Sequence, residues 1–313
     1  MNAALETAGL GKRYGRNQAL RDCSLMLPVG RVAALVGPNG AGKTTLLHLA
    51  VGLLRPTAGS VSVFGSSPST HPRDVLPQIG FVAQDHPLYR SFTVGDMLTM
   101  GRKLNPRWEQ SIATRRLTQL GIPLDRRIDK LSGGQHAQVA LAMVLAKRAQ
   151  FILLDEPLAS LDPLARRDFL RALMDATAEH GLTVLLSSHI IADLERVCDY
   201  LIILAGGRVQ IADGIDEITR SHKLLVGPRT DQAAIASIHE VIEANHSDRQ
   251  TTLLVRVNGH IFDSSWQAHD VTLEDIVLAY LGRSPDESQM GQAAHQEEGF
   301  VPQRAKSVEE ARR

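Results

Sequence analysis

The chain has 313 residues, 43% of them hydrophobic and 22% charged, with Lys+Arg and Asp+Glu both at 34 and a net charge of zero. That length and apolar content suffice for one large α/β domain with a smaller appendage, while the balanced charge supplies no basic field to draw nucleic acid as a main partner. No apolar run approaches the roughly 20 residues that span a bilayer, and the opening Met1-Asn2-Ala3-Ala4-Leu5-Glu6 lacks the basic-then-apolar pattern of a signal peptide, so the chain reads as soluble and cytosolic.

Short apolar runs punctuated by Gly and Pro predict strands at Leu25–Leu27, Val32–Val36 and Val61–Phe64. Directly after the second comes Gly37-Pro38-Asn39-Gly40-Ala41-Gly42-Lys43-Thr44-Thr45. In the pattern G-x-x-x-x-G-K-[ST], glycines let backbone N–H groups turn inward around a polyphosphate, and the following helix offers its positive N-terminal end. Lys43 is placed to reach the β- and γ-phosphates and Thr44 to ligate Mg²⁺. A Gly-rich turn with a solvated lysine is the bland alternative; the strand before the loop and the helix predicted over Thr44–Gly52 disfavour it.

A further strand, Ile79–Ala83, closes on Gln84. From His86 to Asp129 the pattern is helical and charged, with Trp108, Arg115, Arg116 and Arg126 among Leu and Ile, and reads as a helical insertion. After a helix running from Leu131 to Ala149, Phe151–Leu154 is a buried strand ending in Asp155-Glu156-Pro157. Acids at the C-terminal end of a strand stand where open parallel sheets bind ligands. Asp155 suits a hold on Mg²⁺ through water, and Glu156 a general base on the attacking water. The competing reading is a helix-capping Asp beside a solvated Glu.

Arg166–His180 reads as an amphipathic helix, Thr183–Ser187 as a strand and Ile190–Asp199 as a helix, giving an α/β domain with a largely parallel sheet. Beyond residue 220 a small α/β appendage over 221–283 is predicted, with strands Lys223–Val226 and Thr251–Val257, a helix Gln232–Glu243 and an apolar segment Leu273–Leu281. Residues 284–313 are rich in Gln, Glu, Ser and Arg and read as disordered. Cys23 and Cys198 lack metal-ligand spacing and read as buried free thiols.

Between phosphate loop and acids lies Leu131-Ser132-Gly133-Gly134-Gln135, a Ser hydroxyl and Gly-exposed N–H groups at a helix start. With this run the chain resembles an ABC-type ATPase, the nucleotide-binding subunit of an ATP-binding cassette transporter, although Ser and Gly-Gly equally suit a capped helix N-terminus. The resemblance covers about residues 5 to 220. It implies a P-loop NTPase core with a mixed, largely parallel sheet, antiparallel N-terminal strands and an inserted helical subdomain at about 86–135.

The resemblance assigns further roles. Tyr14 matches the aromatic residue that stacks on adenine, Gln84 the glutamine that senses Mg²⁺ and the lytic water, and His189 the switch histidine at the γ-phosphate. Ser160-Leu161-Asp162 matches the loop that crosses the dimer interface, though Asp162 before Pro163 is also a good N-cap. In this family two copies meet head to tail. Ser132, Gly133, Gly134 and Gln135 then act in trans, while Tyr14, Gly37 to Thr45, Gln84, Asp155, Glu156 and His189 act on ATP in cis.

Also implied are a second copy or related subunit, and a separate membrane permease that holds the chain at the inner face of the membrane. Its contact surface is expected at His86–Leu104, where Leu88, Tyr89, Phe92 and Met97 serve docking or internal packing equally well. One departure stands out: His136-Ala137-Gln138 follow the signature where the family places basic and Gln residues. The cassette, the short extension and the terminal Leu273-Glu274-Asp275-Ile276-Val277-Leu278 resemble exporters. Two other classes stay open: a soluble cassette acting on ribosomes or nucleic acid, and a nucleotide-gated regulatory module.

Overall fold

A computed structural model describes residues 2–159, 161–188, 190–228, 232–247, 250–259 and 265–283. The chain opens on two long antiparallel strands, β1 (Ala3–Tyr14) and β2 (Asn17–Pro28), followed by β3 (Val32–Val36), α1 (Lys43–Ala50) and β4 (Ala58–Val63). Next come α2 (Pro72–Val75), β5 (Ile79–Val82), α3 (Val94–Leu104), α4 (Gln110–Gln119), α5 (Gly133–Ala146) and β6 (Phe151–Leu154). The alternation continues with α6 (Pro163–His180), β7 (Thr183–Ser188), α7 (Ile191–Leu194), β8 (Tyr200–Ala205) and β9 (Arg208–Gly214). The last elements are α8 (Ile215–Ser221), β10 (His222–Pro228), α9 (Gln232–Ile238), β11 (Glu240–His246), β12 (Gln250–Arg256), β13 (Gln267–His269) and α10 (Leu273–Gly282).

The central sheet has six strands in the order β5-β6-β7-β3-β8-β9, parallel except for the final β8–β9 hairpin. Its strands are apolar on both sides because both faces are covered. In β3, Val32, Ala34 and Val36 face one core with α5 and α6, while Ala33 and Leu35 face the other with α1 and the three-stranded sheet β2-β1-β4. The insertion closes a third core from Val94, Met97, Leu98, Ala113 and Leu117 against Val139 and Ala142 of α5. Both cysteines are buried and free, and burial pushes the Cys198 thiol up to about 12.

Several expectations need correction. Residues 232–243 are not one helix: α9 ends at Ile238 and the chain turns into β11, where Ile242 is buried and the rest of the strand is more open. The helix expected over Ile190–Asp199 is a single turn, α7. Met97 belongs to the interior of the insertion, whereas Tyr89 and Phe92 are exposed and pack on each other at 5.2 Å between centroids. The tail at 284–313 lies outside the described residues, as do Ser160 and His189.

Past β9 the chain builds a four-stranded sheet, β11-β12-β10-β13. Ile242, Leu254, Ile276, Val277 and Tyr280 belong to the same core as Leu201 and Ile203 of the central sheet. A buried polar link reinforces it: His222 Nδ1 lies 2.7 Å from the Ile218 carbonyl and Nε2 lies 3.0 Å from the Tyr280 hydroxyl. A carbonyl only accepts, so Nδ1 carries the proton and Nε2 accepts from Tyr280. Burial holds His222 below the ordinary histidine range, in keeping with this neutral form. Tyr280→Phe leaves Nε2 unsatisfied and is expected to lower stability by about 1–3 kcal/mol, read as a lower urea midpoint at unchanged m-value.

Candidate nucleotide site

Parallel register brings the site together. Val36 pairs with Ser188 and Leu154 with Leu186, so the segments after β3, β6 and β7 leave the sheet at the same edge. Between β3 and α1 the loop makes two close approaches that only glycine permits. A Cβ on Gly37 would sit 2.2 Å from the Leu204 carbonyl oxygen, and Gly42, at φ 105°, would meet the Ala19 carbonyl oxygen at 2.7 Å. Gly42 also caps α1 without a side-chain hydrogen bond, which leaves the first-turn N–H groups to an anion.

Lys43 is 7% exposed; its Nζ donates to the Gly37 carbonyl at 2.7 Å and lies 3.4 Å from Glu156 Oε1. Glu156, 9% exposed, sits at φ 46°, a left-handed conformation that non-glycine residues adopt at a cost of about 1–2 kcal/mol. Ser187 holds it there. Its hydroxyl accepts from the Glu156 N–H at 2.8 Å and donates to Asp155 Oδ1 at 2.9 Å, tying both acids to the end of β7. Ser187 stands in no motif of its own; its one signal in the sequence is its place in Leu-Leu-Ser-Ser at a strand end.

Asp155 Oδ2 is buried without a hydrogen-bond partner. A carboxylate oxygen in that position invites a cation or its water. Thr44, exposed at the start of α1, and Gln84, exposed after β5, border the adjoining cleft with side-chain oxygens, donors of the hard kind that could hold Mg²⁺.

The phosphate loop, Gln84 and Glu156 border one cleft of about 720 Å³, together with Tyr14 and with Asn17, which the sequence did not single out. Tyr14 is 45% exposed at its rim, with Lys12 Nζ 5.3 Å from its ring centroid. Gly37, Pro38, Asn39, Gly40, Gly42, Lys43, Thr44 and Thr45 all line the cleft, while Ala41 is buried behind it.

Ser132, Gly133, Gly134 and Gln135 do not reach this cleft. Ser132 caps α5 in a reciprocal box, its Oγ accepting from Gln135 N–H at 3.2 Å while Gln135 Oε1 accepts from Ser132 N–H at 3.1 Å. Asp162 likewise caps α6, accepting from Leu164 and Ala165 N–H at 3.0 and 2.9 Å. The unusual residues after the signature have partners of their own. Gln138 accepts from Arg116 of α4, whose guanidinium burial brings down to about 10, and the His136 ring lies edge-to-face with His86.

A glycine-rich loop between a buried strand and a helix, with two acids ending a neighbouring parallel strand, defines a P-loop nucleotide-binding protein. Residues 20–159 match the ABC transporter family, so the chain carries a domain of that family. Over 227 residues the chain is 36% identical to the sulfate/thiosulfate import ATP-binding protein CysA of Escherichia coli, a match that takes in 69% of this chain and 62% of that protein. The match thus spans under two thirds of that relative's length.

Among solved structures, cbiO1 of Clostridium perfringens, described as part of an ABC transporter complex, matches at TM-score 0.61 and 27% identity over 70% of this chain and 91% of its own. A dimeric bacterial ABC transporter cassette matches at TM-score 0.61 and 25% identity over 67% and 98%. Because the backbone at Leu204 occupies the space a side chain would need, Gly37→Ala is expected to weaken binding of a fluorescent ATP analogue at least about tenfold, the equivalent of 1.4 kcal/mol.

Proposed function

We propose that this chain is an ATP-hydrolysing subunit of an ABC transporter, working as a head-to-tail pair on a separate membrane subunit. The observation that carries the reading is the cleft itself. Lys43, the loop residues and Glu156 converge on it, and Asp155, next to Glu156 in the chain, carries a buried oxygen without a hydrogen-bond partner.

Lys43 would exchange its contacts with Gly37 and Glu156 for the β- and γ-phosphates, which releases Glu156 to take a proton from the attacking water. Ser187 keeps the Glu156 backbone in place throughout. Bound Mg²⁺ would supply charge neutralisation on the phosphates, with Thr44, Gln84 and Asp155 as its protein donors. Tyr14 offers its ring face to adenine. His189 takes the γ-phosphate contact on the strength of the family motif alone.

The signature serves a neighbour's site in this reading. Ser132 and Gly133 are exposed and lie outside the chain's own cleft, and the N-terminus of α5 offers an anion the same chemistry as that of α1. A dimeric structure of a related cassette supports such pairing. Asp162, at the exposed start of α6, belongs to the same interface. The cassette is read as residues 1–220 with its insertion at 86–135, and residues 221–283 as the appendage.

Docking of the membrane subunit fits a groove of about 480 Å³ beside Gln84, lined by Leu53, Leu76, Phe81, Leu88 and Met143. Among the described residues no helix is long and apolar enough to cross a membrane, which suits peripheral attachment through a partner. Outward transport, expected from the terminal helix, gains no support from relatives named for import; direction would reside in the membrane subunit.

Glu156→Gln is expected to keep ATP affinity, to lose turnover by about 10²–10⁴-fold, and to accumulate as a dimer in size-exclusion chromatography with ATP. Near-normal hydrolysis would remove Glu156 from the base role. Leu53, 64% exposed in the groove, tests the partner. With Leu53→Arg, co-purification with an integral membrane protein should fall while hydrolysis by the isolated chain stays unchanged.

A further inference from the structure

His86 follows Gln84 by two residues and is only 5% exposed, folded inward at φ 43° by a turn in which its N–H donates to the Ala83 carbonyl at 2.9 Å and its carbonyl accepts from Leu88 N–H at 2.7 Å. A non-glycine residue in that region is held against its preference. Its Nε2 is buried and without a partner, an arrangement that does not serve stability. The ring meets His136 edge-to-face, centroids 6.2 Å apart and planes at 80°.

His136 is no ordinary neighbour. Its N–H donates to the Ser132 carbonyl at 2.8 Å, the bond that closes the first turn of α5, so a displacement of His136 is felt directly at the signature serine. We infer that the His86–His136 contact is a positioning link that makes the Gln84 segment of one nucleotide site and the Ser132 turn offered to the other move as a unit. The link rests on the roles proposed for Gln84 and Ser132. It also gives a purpose to the histidine that stands after the signature in place of a basic residue.

The test is a double-mutant cycle on ATP hydrolysis by the purified full chain. His86→Ala and His136→Ala should each lower kcat about fivefold or more at unchanged KM for ATP, and the double variant should be no worse than the poorer single one. The double variant His86→Phe with His136→Phe keeps the ring contact and should retain at least about half of the wild-type kcat.

Multiplicative losses in the alanine cycle, no loss in either single variant, or a phenylalanine pair as slow as the alanine pair would each overturn the link. If the alanine variants do not fold, the phenylalanine pair decides alone. Lys43→Ala and Glu156→Gln run alongside: activity surviving in both would sink the hydrolysis reading itself, whereas their inactivity with an additive cycle would sink only the link.

Discussion

Three parallel strands of the central sheet must end in step, and the rest of the site follows from that constraint. The register Val36–Ser188 and Leu154–Leu186 brings the phosphate loop, the paired acids and the end of β7 to one edge. Slipping one strand by a residue would turn its side chains to the opposite face, moving Ala33 and Leu35 of β3 into the core that now holds Val32 and Ala34. The register is therefore fixed by two cores at once, one on each face. That double constraint can hold Glu156 in an unfavourable backbone conformation, because the strand before it has nowhere else to go.

The parts of the fold legible in the sequence are those whose physics demands particular residue types at particular spacings. A loop wrapping phosphate needs glycine where carbonyls crowd it, and a twice-covered strand must be apolar throughout, so Gly37–Thr45 and Phe151–Leu154 could be read directly. β1 and β2 were less visible. Their pairing carries repeated register shifts, which break the strict alternation that identifies a strand. β11 reads in sequence as a continuation of α9 because Glu240, Val241 and Glu243 have no strong strand pattern; pairing with β12 decides their conformation. Ser187 escaped for a related reason, since its importance lies in two contacts with residues 31 and 32 positions away.

Two motifs admit a structural and a functional reading at once. Ser132 and Asp162 satisfy the helix ends they begin, and each of those ends is exposed. A helix start is a pre-aligned set of donors whether or not a side chain occupies some of them. Capping fixes the direction in which the remaining donors point, so the local rule and the interface chemistry do not compete.

The core shared between the central sheet and the appendage carries a different implication. Tyr280, Ile276 and Val277 bury surface against the same cluster as Leu201 and Ile203, so the free energy holding α10 in place also holds part of the sheet. Severing the chain after β9 would open that cluster to water instead of releasing an independent module. Cooperativity then runs in both directions: a nucleotide that stabilises the sheet raises the protection of α10 amides against hydrogen exchange, and damage at the far end of the chain is reported at the cleft.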